Sequence, residues 1–132
     1  MTNNESGMKK NLTNYGDKGF SIFLRKAFIK GLGYSDEKLR RLCLEAVEAG
    51  WTHLKLKVGA DLEDDIRRLR TVREVVGDRI TLMVDANQVW EPAEAIEWMK
   101  SLAEFNLWFL EEPTSPDDVI GHRQIRDGIA PI

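Results

Sequence analysis

The apolar positions of the chain change period several times, and each change marks an element. From Ser35 onward a helical spacing runs through Leu39, Leu42, Cys43, Ala46 and Val47. Ser35 is a fitting N-cap, Asp36 and Glu37 suit the positive end of the dipole, and Gly50 is a stop signal. His53-Leu54-Lys55-Leu56-Lys57-Val58 then alternates with period two and predicts a strand. Asp61 opens a second helix with Glu63, Asp64 and Asp65 in its first turn. Its apolar face is Leu62, Ile66, Leu69, Val72 and Val76, and Gly77 ends it. Ile80 to Asp85 reads as the next strand. Glu91-Pro92 opens a third helix with the face Ala95, Ile96, Met99, Leu102 and Ala103. Leu107 to Glu111 is a third strand. Ser115-Pro116-Asp117-Asp118 opens a fourth helix by the same cap-and-proline chemistry, and Ile129-Ala130-Pro131-Ile132 is a candidate further strand.

The first thirty residues follow other rules. Residues 1–17 are polar and have little to bury, so a mobile leader is expected. In residues 18–30, Phe20, Phe23, Leu24, Ala27 and Phe28 fall on one helical face, with Lys18, Arg25, Lys26 and Lys30 as the charges. This predicts a short cationic amphipathic helix docked on the domain. Membrane-surface and targeting roles are the alternatives, and Glu5 and Asp17 weaken the second of these. The domain proper begins near residue 31 and extends to residue 132.

Strands alternating with helices imply an α/β fold with a parallel sheet. The polar strand ends recur regularly: Lys57 to Asp85 is 28 positions and Asp85 to Glu111 is 26. Binding and catalytic groups in parallel α/β folds gather at the carboxyl ends of strands. Three such ends with charged groups therefore point to one shared site.

Lys55 and Lys57, two apart, leave the strand on one face. Mutual repulsion and partial burial would push a lysine toward use as a base, whereas a solvated strand face is the plain alternative. Asp85 and Asn87 offer oxygen ligands suited to Mg²⁺, and they are also common turn formers. Glu111 and Glu112 point in opposite directions if alternation holds. Spacing selects Glu111 as the partner of Asp85 and leaves Glu112 as a supporting hydrogen-bonding group. A carboxylate after so apolar a strand needs a partner, either a metal or the lysine pair.

Composition narrows the classes. With 19 Lys+Arg against 22 Asp+Glu, the net charge is −3, without the basic footprint of a nucleic-acid binder. Hydrophobic residues at 42% suffice for a core. No apolar run approaches the ~20 residues of a membrane span. A single cysteine, Cys43, excludes an intramolecular disulfide framework, and two histidines make a His-rich metal site improbable.

The constellation resembles the enolase superfamily, in its mandelate racemase branch. The pieces that carry the resemblance are Lys55-Leu56-Lys57-Val58-Gly59, Met83-Val84-Asp85-Ala86-Asn87-Gln88 and Leu110-Glu111-Glu112-Pro113-Thr114-Ser115-Pro116-Asp117-Asp118. Gly33-Tyr34-Ser35-Asp36 and Thr114 to Asp118, followed by Gly121-His122, look most like the L-fuconate dehydratases and a related mitochondrial member of the superfamily. The resemblance implies a partial (β/α)8 barrel of three to four βα units. It also implies Mg²⁺-dependent dehydration of an acid sugar, in which a proton α to the carboxylate is removed, an enediolate forms and the β-hydroxyl leaves. By match to the motif, Lys57 is the base and Lys55 assists by charge. Asp85 and Glu111 are metal ligands, and Asn87 and Glu112 are supporting groups.

Three parts of the family pattern are not matched. The third carboxylate ligand should lie one βα step past Glu111, beyond Ile132. The general-acid histidine and aspartate lie further on, and His122 does not match that position. Residues 1–30 do not resemble the capping domain. A full barrel takes ~250 residues, so the chain is expected to be an incomplete piece, with weak or no Mg²⁺ binding. Its expected partner is a small-molecule sugar acid, and homo-oligomer formation is left open. A cytoplasmic location is expected, with a mitochondrial one as the alternative. The competing functional reading is a non-catalytic βα piece that acts through a binding partner. A doubly wound regulatory domain with Asp85 in an acidic pocket is a third reading, and it leaves the lysine pair unexplained.

Overall fold

The computed structural model describes residues 12–14, 26–29 and 31–130. Among the described residues, five strands form one sheet in the order β1-β2-β3-β4-β5: Leu12–Asn14, Lys26–Ile29, His53–Lys57, Thr81–Asp85 and Leu107–Glu111. Strands β2 to β5 are parallel, and β1 runs antiparallel beside β2. Four helices follow the parallel strands: α1 Asp36–Glu48, α2 Leu62–Val76, α3 Pro92–Leu102 and α4 Val119–Ile129.

The helices start where the caps predict. Ser35 Oγ accepts from the Lys38 amide at 3.3 Å, and Asp61 Oδ1 accepts from the Asp64 amide at 2.8 Å. Leu39, Leu42, Cys43 and Ala46 of α1 are buried, as are Leu69, Val72 and Val76 of α2. They meet Leu54, Leu56, Leu82 and Val84 from the helix-side face of the sheet. Val47 departs from expectation and is exposed, because it stands at the margin of the α1 stripe.

Arg73 closes the end of α2. Its guanidinium donates to the carbonyls of Gly77, Ile80, Phe105 and Asn106 at 2.6–3.2 Å. Burial lowers its pKa from the ordinary arginine range, an effect opposed by the charge of Asp78.

Several expectations are corrected. Leu12–Asn14, placed in a mobile leader, is strand β1, and Lys26–Ile29, placed at the end of an amphipathic helix, is strand β2. The rest of the expected leader and helix lies outside the described residues. Neighbouring residues of a strand face opposite ways. Ile29 joins the helix-side core while Phe28 lies beside Lys55 on the other face, so both are buried. The fourth helix is capped by Asp118, whose Oδ1 accepts from the Gly121 amide at 2.8 Å, and not by Ser115. Ser115 instead closes the preceding turn, its carbonyl accepting from the Asp118 amide. Ile129 ends α4 rather than starting a strand; Pro131 and Ile132 lie outside the described residues.

Among the described residues β5 is an edge strand, and this end of the domain is apolar at the surface. Trp108 and Phe109 of β5 and Val119 and Ile120 of α4 are exposed. A groove of about 470 Å³ runs between β5, α3 and α4.

Burial pushes the Cys43 thiol up to about 12 from 9.0, with Arg40 opposing weakly. The folded state therefore holds a proton that the unfolded chain releases near pH 9. The stability tied to that proton is complete below pH 9 and is lost as pH rises toward 12. Urea unfolding at pH 8 and pH 10.5 should show wild type losing more stability than Cys43→Ala, by up to roughly 1.4 kcal/mol per pH unit. Equal losses would contradict the assignment.

Candidate functional site

The register of the parallel strands places the charged ends side by side. Lys57 is opposite Asp85, and Asp85 is opposite Glu111. Backbone pairing continues past the strands. The amides of Val58, Ala86 and Gln88 donate to the carbonyls of Asp85, Glu111 and Glu112 at 3.0, 3.0 and 2.7 Å. The loops after β3, β4 and β5 are thereby laced together, and the carboxylates inherit fixed positions.

The ion pairs are not those of nearest register. Lys55, two residues before Lys57, sends its ammonium to Glu111 Oε2 and lies 3.6 Å from Asp85 Oδ2. The Cα atoms of β3 and β5 are about two strand spacings apart, roughly 9.5 Å, so Lys55 and Glu111 must lean toward each other over β4. Lys55 and Asp85 are buried, and Glu111 is half-buried. The Phe28 ring lies 4.7 Å from the ammonium, near enough for a cation–π contact. Lys57 has no side-chain hydrogen bond or ion pair among the described residues and is partly exposed. One cation thus serves two carboxylates, and the second lysine is uncommitted.

A fold in β5 lets Glu111 reach this face. Leu82 pairs with Leu107, Val84 pairs with Leu110, and the register shifts between them. Strict alternation would put Leu107 and Glu111 on one side. The irregularity instead turns Leu107 and Leu110 to the helices and Glu111 to Lys55. Trp108 lies against His53 with ring centroids 5.4 Å apart.

Asn87 and Glu112 act through their backbones. The Asn87 amide donates to Asp85 Oδ1 at 3.0 Å, while its side chain is exposed. The Glu112 carbonyl accepts from Gln88, and its exposed side chain borders the groove beside β5. Asn87, Gln88 and Glu112 have φ of 49°, 64° and 47°. Three non-glycine residues in the left-handed region, beside one cluster, mark strained backbone of the kind concentrated at functional sites.

A buried pair holds the end of β3 from behind. Arg68 donates to the Lys57 carbonyl at 2.7 Å and to Asp65. Asp65 Oδ2 also accepts from the Gly59 amide at 2.7 Å and from Trp98 Nε1 at 3.0 Å. Gly59 has φ +109°, and a Cβ there would meet Val89 at 2.6 Å. Sequence reading missed Arg68, Asp65 and Phe28. Asp65 was placed only among the first-turn acids of its helix, Arg68 stands in a run of charges with no local signal of burial, and Phe28 fitted a helical stripe.

Among the described residues no three His, Cys, Asp or Glu side chains gather as a metal cage. Asp85 and Glu111 supply two hard oxygen donors on one face, which suits a cation that keeps several waters, as Mg²⁺ does. His122 is apart from them, in α4, with Nε2 3.1 Å from the Ser115 carbonyl.

The family model for enolase C-terminal domain-like proteins matches residues 38–132. The chain belongs to that family. Bovine mitochondrial enolase superfamily member 1 is 57% identical over 101 residues, which cover 76% of the chain and 23% of that relative. The crystal structure of its human counterpart superposes with a TM-score of 0.74 at 53% identity, over 76% of the chain and 23% of that protein. L-galactonate dehydratase of Hypocrea jecorina is 53% identical over 102 residues, again 76% of the chain and 23% of the relative. A racemase from Streptomyces coelicolor A3(2), solved with bound magnesium, has a TM-score of 0.69 at 37% identity, over 76% and 31%. The chain therefore spans about a quarter of the length of the curated relatives it matches. The enolase-superfamily assignment and the α/β barrel-type architecture read from the sequence agree with these findings. No described helix is long and apolar enough to cross a membrane.

Removing Asp65 leaves the buried Arg68 guanidinium with the partly exposed Asp64, 3.1 Å from its Nε, as its remaining counter-charge, and leaves the Gly59 amide and Trp98 Nε1 without their acceptor. Asp65→Ala should cost about 3–5 kcal/mol by urea denaturation. The control Glu74→Ala breaks an exposed pair with Arg40 and should cost under about 1 kcal/mol. Similar losses at the two sites would remove Asp65 as an anchor of the β3 end.

Proposed function

We propose that this chain is the part of a Mg²⁺-dependent acid-sugar dehydratase that carries the proton-abstracting lysine and two metal ligands. The observation that carries the reading is the division of labour between the lysines. Lys55 is occupied by Asp85 and Glu111, whereas Lys57 stands at the same strand ends without a side-chain partner among the described residues. An uncommitted amine beside paired carboxylates is what a base for a weak carbon acid requires.

Asp85 and Glu111 would hold Mg²⁺, which neutralises charge developing on a substrate carboxylate when bound. Lys57 accepts the α-proton on Nζ. Lys55 keeps the carboxylate pair from repelling each other and offers a second positive charge to the substrate. Asn87 fixes Asp85 through its amide, and the Glu112 carbonyl fixes the loop that carries Asn87 and Gln88. Relatives named L-galactonate, arabinonate and L-talarate/galactarate dehydratase support a sugar acid as the substrate class, and an L-fuconate-like acid is the substrate that the sequence resemblance implies. The mitochondrial member among the relatives supports a mitochondrial location as the alternative to a cytoplasmic one.

A second reading rests on the open edge. Trp108, Phe109, Val119 and Ile120 leave apolar surface exposed beside an unpaired strand among the described residues. Such a piece can act by binding a partner instead of turning over substrate.

The test has two parts. The purified chain with Mg²⁺ and L-fuconate should form no keto acid above a Lys57→Ala control, because two carboxylates and one base lack a general acid, itself worth about 10²–10⁴-fold. Residues 38–132 exchanged into the fungal L-galactonate dehydratase should support turnover, and Lys57→Ala in that chimera should reduce kcat by at least about 10²-fold. A chimera that works equally well without Lys57 would overturn its assignment as base.

A further inference from the structure

We infer that Lys55 is an internal counter-cation whose ammonium stands where a divalent cation would bind, so that metal binding at Asp85 and Glu111 proceeds by exchange with Lys55. The inference rests on the reading of Asp85 and Glu111 as metal ligands and concerns what controls access to them.

Three observations lead to it. The Lys55 ammonium contacts Glu111 Oε2 and lies 3.6 Å from Asp85 Oδ2, so it meets both donor carboxylates at once. Lys55 and Asp85 are buried, where water does little to screen the interaction. A divalent cation carries twice the charge of the ammonium it replaces and so attracts the two carboxylates more strongly at the same distance. An ammonium and a metal ion cannot share those oxygens at contact distance. A bound divalent cation must turn Lys55 aside, and the cost of that displacement lowers the affinity.

The Phe28 ring already faces the ammonium, 4.7 Å from Nζ, and offers a partner that does not depend on the carboxylates. Lys57 cannot replace Lys55 in the resting arrangement without giving up its uncommitted state. The exchange therefore couples cation binding to the orientation of one lysine and leaves the other untouched.

The experiment is a Mn²⁺ titration of the full chain, followed by electron paramagnetic resonance and checked by Mg²⁺ competition. The variants are Lys55→Met, Lys55→Arg and Asp85→Asn. Lys55→Met should bind Mn²⁺ about tenfold tighter or more than wild type, since a competing charge some 4 Å away is gone. Lys55→Arg should bind no better than wild type, and Asp85→Asn should weaken binding in every background. Equal or weaker binding by Lys55→Met, with Asp85→Asn still abolishing it, would overturn the exchange while leaving the metal reading intact. Binding indifferent to Asp85→Asn would overturn the metal reading and the exchange with it. Lys55→Met strands two carboxylates and can fail to fold. For that case, wild type labelled with 15N-lysine gives a second measurement. One Nζ resonance, lost in Lys55→Arg, should shift on adding Mg²⁺ in proportion to occupancy. An unmoved Lys55 resonance at saturation would overturn the proposal.

Discussion

One ammonium shared by two carboxylates is the constraint around which the site is organised. Lys55 lies on β3, Asp85 on β4 and Glu111 on β5, so the interaction spans three strands and holds only in one register. A slip of one residue in any strand would send its charge into the helix-side core. Burial makes such a misplacement costly, because an unpaired charge in that environment loses its hydration without compensation. The apolar alternation of Leu54, Leu56, Leu82 and Val84 favours the same register from the opposite face. Core packing and site electrostatics therefore enforce each other.

The loops carry the arrangement past the strand ends. Val58 to Asp85, Ala86 to Glu111 and Gln88 to Glu112 continue the ladder where regular pairing would stop. Asn87, Gln88 and Glu112 accept left-handed backbone for the sake of those bonds. Behind β3, Arg68 and Asp65 fix the Lys57 carbonyl and the Gly59 amide. Lys57 is held by its backbone on both sides, while its amine stays unengaged among the described residues.

The central repeat was legible because its signals are local. Caps at Ser35 and Asp61 and the alternation of His53 to Lys57 each decide an element within a few residues, and parity alone puts Lys55 and Lys57 on one face. Strand β2 was not legible. Phe20 to Phe28 satisfies a helical period, and only the two covered faces of the sheet reveal why both Phe28 and Ile29 are buried. The bulge in β5 was hidden as well, although spacing selected Glu111 over Glu112. Which lysine holds the carboxylates was also beyond sequence reading, since it depends on side chains leaning across a neighbouring strand. Register alone would have paired Lys57 with Asp85.

The central claim is that Lys55 couples β3 to β5 through Glu111. A double-mutant cycle on urea stability tests it most directly, using wild type, Lys55→Met, Glu111→Gln and the double variant. The account predicts a coupling energy of at least about 1 kcal/mol, retained in moderate salt because the pair is partly buried. Additive losses, with coupling near zero, would contradict it and would leave the strand ends as neighbours without a shared site.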